Sequence, residues 1–464
     1  MNRIIGLLLL SGFLLPVQAQ RMLSLDSCRA LALQNNKQIG VAKLKQDVAK
    51  NVRKSARTKY LPHVNAVGVY EHTGKEVSIL NSDQKAFLGN IGTLLGDFGD
   101  LSKQLNALGE KVVDAFRTDT RNIFVGSVVV TQPVFMGGAI IAANKAADIG
   151  ERMAQNATDA RLQQTLYTTD QAYWTVVSLH HKKQLAEAYL ALVHKLSDDV
   201  DKMIREGVAT RSDGLSVDVK ENEAEMRVTQ VNDGLVLAKM YLCQLCGLPL
   251  DTDLILEDEN NDQFRMEASQ PRANVELAMI NRPELKMLQN SIDLSKQTTN
   301  ILKAGYMPQV MLTGGYAASN PNVFNGFQKK FTGLWNVGVM VRVPIWNWGD
   351  VAYKVRASKG ATAIANLELM EAKEMIELQV NQSQFKVDES AKRLTMAQSN
   401  ILRAEENLRT ANLGFREGVI QTTTVMEAQT AWLLAQSQRI DAEIDVKMSQ
   451  VNLRKALGTL GINE

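Results

Sequence analysis

The stretch ALALQNNKQIGVAKLKQDVAK at residues 30–50 is similar, without a gap, to ELAMINRPELKMLQNSIDLSK at residues 276–296. The similarity continues at the same offset of 246 residues, from YLPHV at 60–64 to YMPQV at 306–310. Self-similarity at a fixed offset is the sequence signature of an internal repeat. We therefore predict that the chain is a tandem duplication of one supersecondary unit.

Further along each repeat the offset becomes 211, as REGV at 205–208 and again at 416–419 shows. The 35-residue difference between the two offsets indicates an insertion between residues 71 and 132 of the first repeat. The pattern predicts a first repeat over 20–247 with its insertion at 72–122, a linker over 248–275 and a second repeat over 276–464.

Each repeat is predicted to run helix, strand, loop, strand, long helix, turn, helix. Alternation of apolar and polar residues predicts four strands per chain, at 62–71, 123–134, 309–317 and 334–346. Proline-free segments predict helices over 24–59, 139–206, 212–247 and 350–417. Their apolar residues form narrow seams with coiled-coil spacing and polar residues on both sides, which is typical of a helix with water on two faces.

The insertion has its own periodicity. From Phe87 to Val112 apolar residues recur at steps of four and three, which predicts one amphipathic helix despite several glycines. If the neighbouring strands cross a membrane, this helix lies at the outer mouth of the structure they form. A flexible loop is the alternative.

The first 19 residues are predicted to be a secretory signal peptide, with Arg3, an apolar run and a small-residue cleavage site after Ala19. The rest of the sequence has no apolar run of 18 or more residues, so it could cross a membrane only with strands in a closed barrel. Because four strands cannot close a membrane barrel, the sequence predicts an oligomer of two, three or more copies.

Composition excludes several function classes. With 52 Lys plus Arg against 50 Asp plus Glu and 6% aromatic residues, nothing indicates nucleic-acid binding. We find no nucleophile motif, phosphate loop or metal cluster, so we predict neither an enzyme nor a bound cofactor or metal. Cys243 and Cys246 form a single C-x-x-C pair on a predicted helix seam, and the state of these two and of Cys28 stays open.

The duplicated layout, the opening LDSCRALA at 25–32, the Tyr-x-Pro strand entries and the glycine turns resemble TolC-type outer-membrane efflux proteins, the outer membrane factor family. The resemblance implies an α+β membrane protein: a homotrimer with a 12-stranded β-barrel in the cell outer membrane, continued by a long α-helical periplasmic tunnel. It also implies a passive duct for small molecules or proteins in a tripartite efflux or type I secretion system. Its partners would be outer-membrane lipid, a periplasmic adaptor (membrane fusion) protein and an inner-membrane RND or ABC-type pump.

The resemblance assigns two sets of residues. Adaptor docking would use the helix turns at Gly207, Val208, Ala209, Thr210, Gly418, Val419, Ile420 and Gln421. The resemblance places Asp213, Thr424 and Glu427 at the periplasmic constriction. We add Asp218, Arg211 and Arg416 to this set as a hypothesis, because their charges could pair there. Phe415 and Ile420 stand where the family's archetype has a tyrosine and an arginine, so closure must use other contacts, such as Arg211 or Arg416 with an acidic residue. The rival interpretation is a periplasmic coiled-coil scaffold without a pore.

Overall fold

The computed structural model describes residues 21–74, 80–96, 98–116, 121–260, 272–322 and 329–461. The predicted signal peptide and residues 261–271 of the predicted linker lie outside these ranges. The strands are β1 Arg21–Leu23, β2 His63–His72, β3 Asn122–Met136, β4 Leu254–Leu256, β5 Gln309–Asn320 and β6 Thr332–Arg342. The helices are α1 Leu25–Asn35, α2 Lys37–Thr58, α3 Ser82–Gly89, α4 Ile91–Leu94, α5 Asp100–Ala115, α6 Ala139–Arg205, α7 Arg211–Cys246, α8 Val275–Asn281, α9 Pro283–Lys303, α10 Asp350–Arg416 and α11 Thr422–Leu457.

The chain divides into two compact units, each built from segments of both predicted repeats. The first unit comprises the described parts of Met1–Val48, Arg152–Asn290 and Asn366–Glu464. The second unit comprises the described parts of Ala49–Glu151 and Ser291–Ala365.

A four-stranded sheet in the order β2-β3-β5-β6, antiparallel throughout, belongs to the second unit. Its strands are the four predicted ones, with ends that differ by a few residues. The register shifts between Pro133 and Phe135, where proline cannot donate a ladder hydrogen bond. The short parallel pair β1 and β4 in the first unit was not predicted, because three-residue strands carry no periodicity.

The two faces of the four-stranded sheet differ in polarity. Because residues directly opposite each other share a face, the register assigns each side chain to one of the two. One face, called the apolar sheet face below, carries Val64, Tyr70, Phe124, Val128, Leu312, Tyr316, Trp335, Val337, Val339 and Val341. These side chains are exposed in the single chain, up to 76% for Val337. The opposite face includes Asn65, Ser127, Thr131, Thr313, Asn336 and Arg342.

The predicted long helices are confirmed. Both α6 and α10 have 67 residues, about 100 Å at 1.5 Å per residue, and both α7 and α11 have 36. These equal lengths are what a duplication predicts, although the duplication itself stays a prediction. None of the helices in the described ranges is both long and apolar enough to span a membrane.

The single helix predicted over 24–59 is wrong: the structure has α1 and α2, separated at Asn36. The side-chain amides of Asn35 and Asn36 donate to the carbonyls of Cys246 and Leu245, at 3.2 and 3.3 Å. Extended backbone at Asn36 (ψ 121°) lets these amides reach the last turn of α7. A long-range contact therefore overrides the local helical pattern.

The single amphipathic helix predicted for the insertion is also wrong: the structure has three helices there, α3, α4 and α5. Gly96 and Gly99 have φ values of +126° and +62°, which glycine adopts without strain, so the chain turns there. A β-carbon on Gly109 would lie 1.7 Å from the carbonyl oxygen of Leu88, so the lack of a side chain at Gly109 lets α3 and α5 approach closely. The α5 apolar residues Leu101 and Leu108 are left exposed.

A buried core joins α1, α6 and α7 to the β1–β4 pair in the first unit. Tyr173, Leu242, Cys28 and Cys246 are fully buried within it. Beside it the guanidinium of Arg29 in α1 donates from Nε and Nη2 to both carboxylate oxygens of Asp170 in α6, at 2.8 and 2.7 Å. Burial raises the pKa of Asp170, and the hydrogen bonds from Arg29 oppose that rise.

Candidate functional site

Two helix turns carry most of the predicted site residues. The first turn, residues 205–213, connects α6 to α7, and the second turn, residues 416–424, connects α10 to α11. Both belong to the first compact unit. The valine that follows the glycine of each turn is well exposed, Val208 at 70% and Val419 at 79%.

The two turns close through the same backbone geometry. Gly207 and Gly418 have φ values of +78° and +71°, the left-handed conformation that ends many helices. The backbone N–H of the next residue then donates back to the helix, from Val208 to the Met203 carbonyl and from Val419 to the Gly414 carbonyl, both at 2.9 Å. The same REGV sequence therefore adopts the same turn at both places.

The turns differ in how the following helix begins. In the first turn the Asp213 N–H donates to the Thr210 hydroxyl, and the Asp213 carboxylate accepts from the backbone N–H and hydroxyl of Thr210, at 2.9 and 2.7 Å. These hydrogen bonds lower the pKa of Asp213. In the second turn Gln421 occupies the cap position and makes no side-chain cap hydrogen bond. The pattern Thr-x-x-Asp was the signal for this capping box in the sequence.

One apolar cluster joins the four helices that lead into the turns. It contains Tyr189, Val193, Leu196 and Val200 of α6, Val217 and Ala224 of α7, Leu408, Ala411 and Phe415 of α10, and Val425, Ala428 and Leu433 of α11. Ile204, three residues before Gly207, and Ile420, two residues after Gly418, pack against the same cluster. The cluster therefore holds both turns in fixed positions relative to the packed helices.

The two residues that replace the archetype's tyrosine and arginine make apolar contacts. Phe415 is only 6% exposed and packs in the cluster. Ile420 lies over Gly414, where an added β-carbon would be 2.6 Å from its Cδ1 atom. Both side chains therefore secure the second turn by packing.

The predicted constriction residues are only partly brought together within one chain. Asp213 is partly exposed and contacts Thr210. Arg211, Asp218, Arg416, Thr424 and Glu427 are exposed. Among the described residues, no ion pair joins Arg211 or Arg416 to Asp213 or Asp218. These residues can therefore form charged contacts only with groups outside the single chain or after a change in conformation.

The C-x-x-C pair lies away from both turns. Cys243 and Cys246 are fully buried together with Cys28, and all three thiols are free. Burial raises the pKa of Cys243, so this thiol is held in its unreactive protonated form. The state of the three cysteines, which the sequence left open, is that of free thiols packed in the buried core of the first unit.

The sequence and fold both have known relatives. The profile of the family described as outer membrane efflux protein matches residues 29–248 and 274–459. The outer membrane protein TolC of Vibrio cholerae is 20% identical over 319 residues, which are 68% of this chain and 72% of TolC. The alkaline protease secretion protein AprF of Pseudomonas aeruginosa is 21% identical over 299 residues, 64% of this chain and 62% of AprF. The crystal structure of the Campylobacter jejuni CmeC outer membrane channel superimposes with a TM-score of 0.75 at 14% identity, covering 95% of this chain and 87% of CmeC.

Proposed function

Because this chain belongs to the outer membrane efflux protein family, we propose that it is the outer-membrane channel of a tripartite efflux or type I secretion system. It is a passive duct that carries small molecules or proteins from an inner-membrane pump to the exterior. No chemical step is required of it, and its energy comes from its partners. Membership of a family of efflux channels supports this role.

The observation that carries the proposal is the four-stranded sheet with an apolar face and two edge strands. Its strands have 10, 15, 12 and 11 residues, at or above the 9–11 that a tilted membrane strand needs. The outer strands β2 and β6 have no further partner in the described part of the chain. An open edge in lipid leaves each unpaired backbone group at a cost of several kcal/mol. Three copies would pair every edge in a 12-stranded barrel with the apolar sheet face toward lipid.

Exposed stripes on the helices support the same assembly. Val41, Leu44, Val48 and Val52 follow one face of α2 at steps of three and four, and each is more than half exposed. On α10 the exposed residues Leu367, Leu378, Phe385 and Met396 also share one face. Packing between neighbouring copies would bury both stripes in the wall of a periplasmic helical tunnel.

The two turns fit a docking site for the periplasmic adaptor protein. Val208 and Val419 present exposed apolar side chains on turns of the same backbone geometry. With Ala209, Thr210, Ile420 and Gln421 they offer two similar surfaces per chain. The adaptor would in turn join the channel to an RND or ABC-type pump.

The constriction would form where the first turns of α7 and α11 from neighbouring copies bring their acidic residues close together. Asp213, Asp218 and Glu427 supply the acidic groups, with Thr424 beside them, and Arg211 and Arg416 supply the basic ones. Among the described residues these groups form no ion pair with one another within the chain, and ion pairs between copies would hold the duct closed.

Planar lipid bilayers provide the test. Purified protein is expected to give discrete ion-conducting steps, and the double variant Asp213→Ala with Asp218→Ala is expected to conduct more than the wild type. Glu223→Gln, an exposed change on α7 outside the proposed ring, serves as the matched control. Silent bilayers under all voltages tried would contradict the channel and favour the scaffold without a pore. Unchanged conductance of the double variant would remove only the constriction assignment.

A second experiment tests the docking surface. A photoreactive crosslinker attached at Ala209→Cys is expected to capture one periplasmic protein in intact cells, whereas the same label at the exposed Glu187→Cys on α6 is not. Mass spectrometry of the product identifies the partner. Equal labelling of the same proteins from both positions would argue against docking at the turns.

A further inference from the structure

Three side chains with metal-binding groups meet between α6 and α7, away from the turn residues. His194 lies in α6, and Glu221 and Glu225 lie in α7. One ligand atom from each lies within 4.8 Å of the other two. Nδ1 of His194 lies 2.8 Å from Oε1 of Glu221.

The backbone around these three groups is held by buried neighbours. Val193 and Ala224, which adjoin His194 and Glu225, are each 1% exposed and pack in the same apolar cluster. Glu221 and Glu225 are one helical turn apart and therefore lie on the same face of α7. The cluster thus holds the backbone at these positions, so that one imidazole and two carboxylates face each other between the two helices.

The charges of the three groups do not balance. Two carboxylates four residues apart repel each other, and both lie beside the His194 imidazole. The nearest lysine on α7, Lys220, pairs instead with Glu223 at 2.7 Å. In the described part of the chain no lysine or arginine forms an ion pair with Glu221 or Glu225. A bound cation would supply the missing positive charge.

The second half of the chain shows what the same positions do without these ligands. At the offset of 211 residues, Glu405, Trp432 and Gln436 replace His194, Glu221 and Glu225. There the side-chain amide of Gln436 donates directly to the Glu405 carboxylate, at 3.2 Å. A simple hydrogen bond is therefore enough to connect the two helices, and the set of one imidazole and two carboxylates is particular to the α6–α7 pair.

We propose that His194, Glu221 and Glu225 form a binding site for a divalent first-row transition metal ion, with Zn²⁺ as the probe. One nitrogen and two oxygen ligands suit Zn²⁺ and leave at least one position for water, and Cu²⁺ binds more tightly to the same donors. The His194 and Glu221 side chains are 47% and 26% exposed, so an ion can enter without unfolding the helices. The bound ion would crosslink α6 and α7 and slow their separation. This site does not depend on the channel function proposed above.

The test is a Zn²⁺ titration of untagged full-length protein in detergent, after removal of metals with a chelator. Isothermal titration calorimetry is expected to give one Zn²⁺ per chain, and at least a tenfold loss of affinity in both His194→Gln and Glu225→Gln. Glu223→Gln, on the same helix but paired with Lys220, and Glu405→Gln, at the equivalent position of the second half, are the matched controls. Each should bind as the wild type does.

Co²⁺ absorption separates this site from the buried cysteines. Nitrogen and oxygen ligands give only weak visible bands, whereas thiolate ligands add strong near-ultraviolet charge-transfer bands. Weak visible bands that disappear in His194→Gln would support the site. Thiolate bands, absence of binding, or equal Zn²⁺ affinity in the wild type and His194→Gln would each overturn the proposal.

Discussion

Single side chains distinguish the beginnings of α7 and α11, which otherwise follow turns of the same backbone geometry. Thr210 caps α7 through its hydroxyl, while Gln421 makes no such contact at α11. Thr210→Ala should therefore cost about 1 kcal/mol of local stability, since it removes a capping hydrogen bond. Hydrogen exchange should show roughly fivefold faster exchange of the first-turn amides of α7.

The control for this change is Gln421→Ala, at the corresponding position of the second turn. Because Gln421 has no side-chain cap to lose, exchange in the first turn of α11 should change little. If both variants accelerated hydrogen exchange equally, the Thr210 hydroxyl would not stabilise the start of α7 as a cap, and the prediction would be wrong.

The buried ion pair of Arg29 and Asp170 provides a second residue-scale prediction. Asp170→Asn leaves the Arg29 guanidinium buried without its counter-charge, which typically costs about 3–5 kcal/mol. Arg29 also approaches Asp26 at 3.4 Å, but the Asp26 side chain is 73% exposed. Asp26→Asn should therefore cost at most about 1 kcal/mol. Thermal unfolding followed by circular dichroism in detergent should show a clearly larger shift for Asp170→Asn, and similar shifts for both would contradict the prediction.

These two features differ in how far the sequence could predict them. Thr-x-x-Asp is a local pattern, and it could be read directly before the helix. Arg29 and Asp170 are 141 residues apart. No periodicity connects them, because their pairing depends on which turns of α1 and α6 come together in the fold.

At the scale of elements, long uninterrupted helices and alternating strands were predictable, and breaks caused by tertiary contacts were not. A proline-free segment ended by glycine placed α6 and α10 within a residue of their observed ends. The break at Asn36 was missed because it depends on carbonyls of α7, more than 200 residues away. The insertion was misread because its apolar spacing runs through the glycines at which the chain turns.

The close approach of α3 and α5 gives the element-scale prediction. In Gly109→Ala the new methyl group would meet the Leu88 carbonyl at 1.7 Å, and a backbone atom cannot move aside cheaply. The α3–α5 pair should separate and displace α4, which follows α3 directly, so that the hydrogen bond from the Gly92 amide of α4 to Asn106 of α5, 2.7 Å in the structure, is weakened. Faster hydrogen exchange of Gly92 measures this loss.

Gly89→Ala is the matched control, because a β-carbon there meets nothing within 4 Å. It lies in the same small helical group and makes the same chemical change. If Gly92 remained equally protected in Gly109→Ala and Gly89→Ala, the close contact between α3 and α5 would be wrong.

At the scale of the whole molecule, the chain has more apolar surface than one copy can bury. The apolar sheet face and the stripes on α2 and α10 are exposed, and the outer edges of β2 and β6 have no partner strand within the ranges that the structure describes. The sequence predicted the strands and the need for several copies, since period-2 alternation and strand number are visible in one chain. It could not predict the copy number, because that depends on how the edges meet.

The register of the sheet allows the copy number to be tested directly. Asn65 and Asn336 lie on the two edge strands at the same level of the sheet, through Val129 and Gly315 between them. In a closed ring of copies β2 of one chain would pair with β6 of the next, with an offset along the strands because barrel closure staggers the register. The double variant Asn65→Cys with Asn336→Cys, treated with bifunctional thiol reagents of increasing length that cover both the ~4.8 Å strand spacing and this offset, should give chains linked up to three and no further. Each single variant should give no linked chains under the same treatment. A ladder that continues past three would indicate an open array or a larger ring, and a product that stops at two would contradict the trimer.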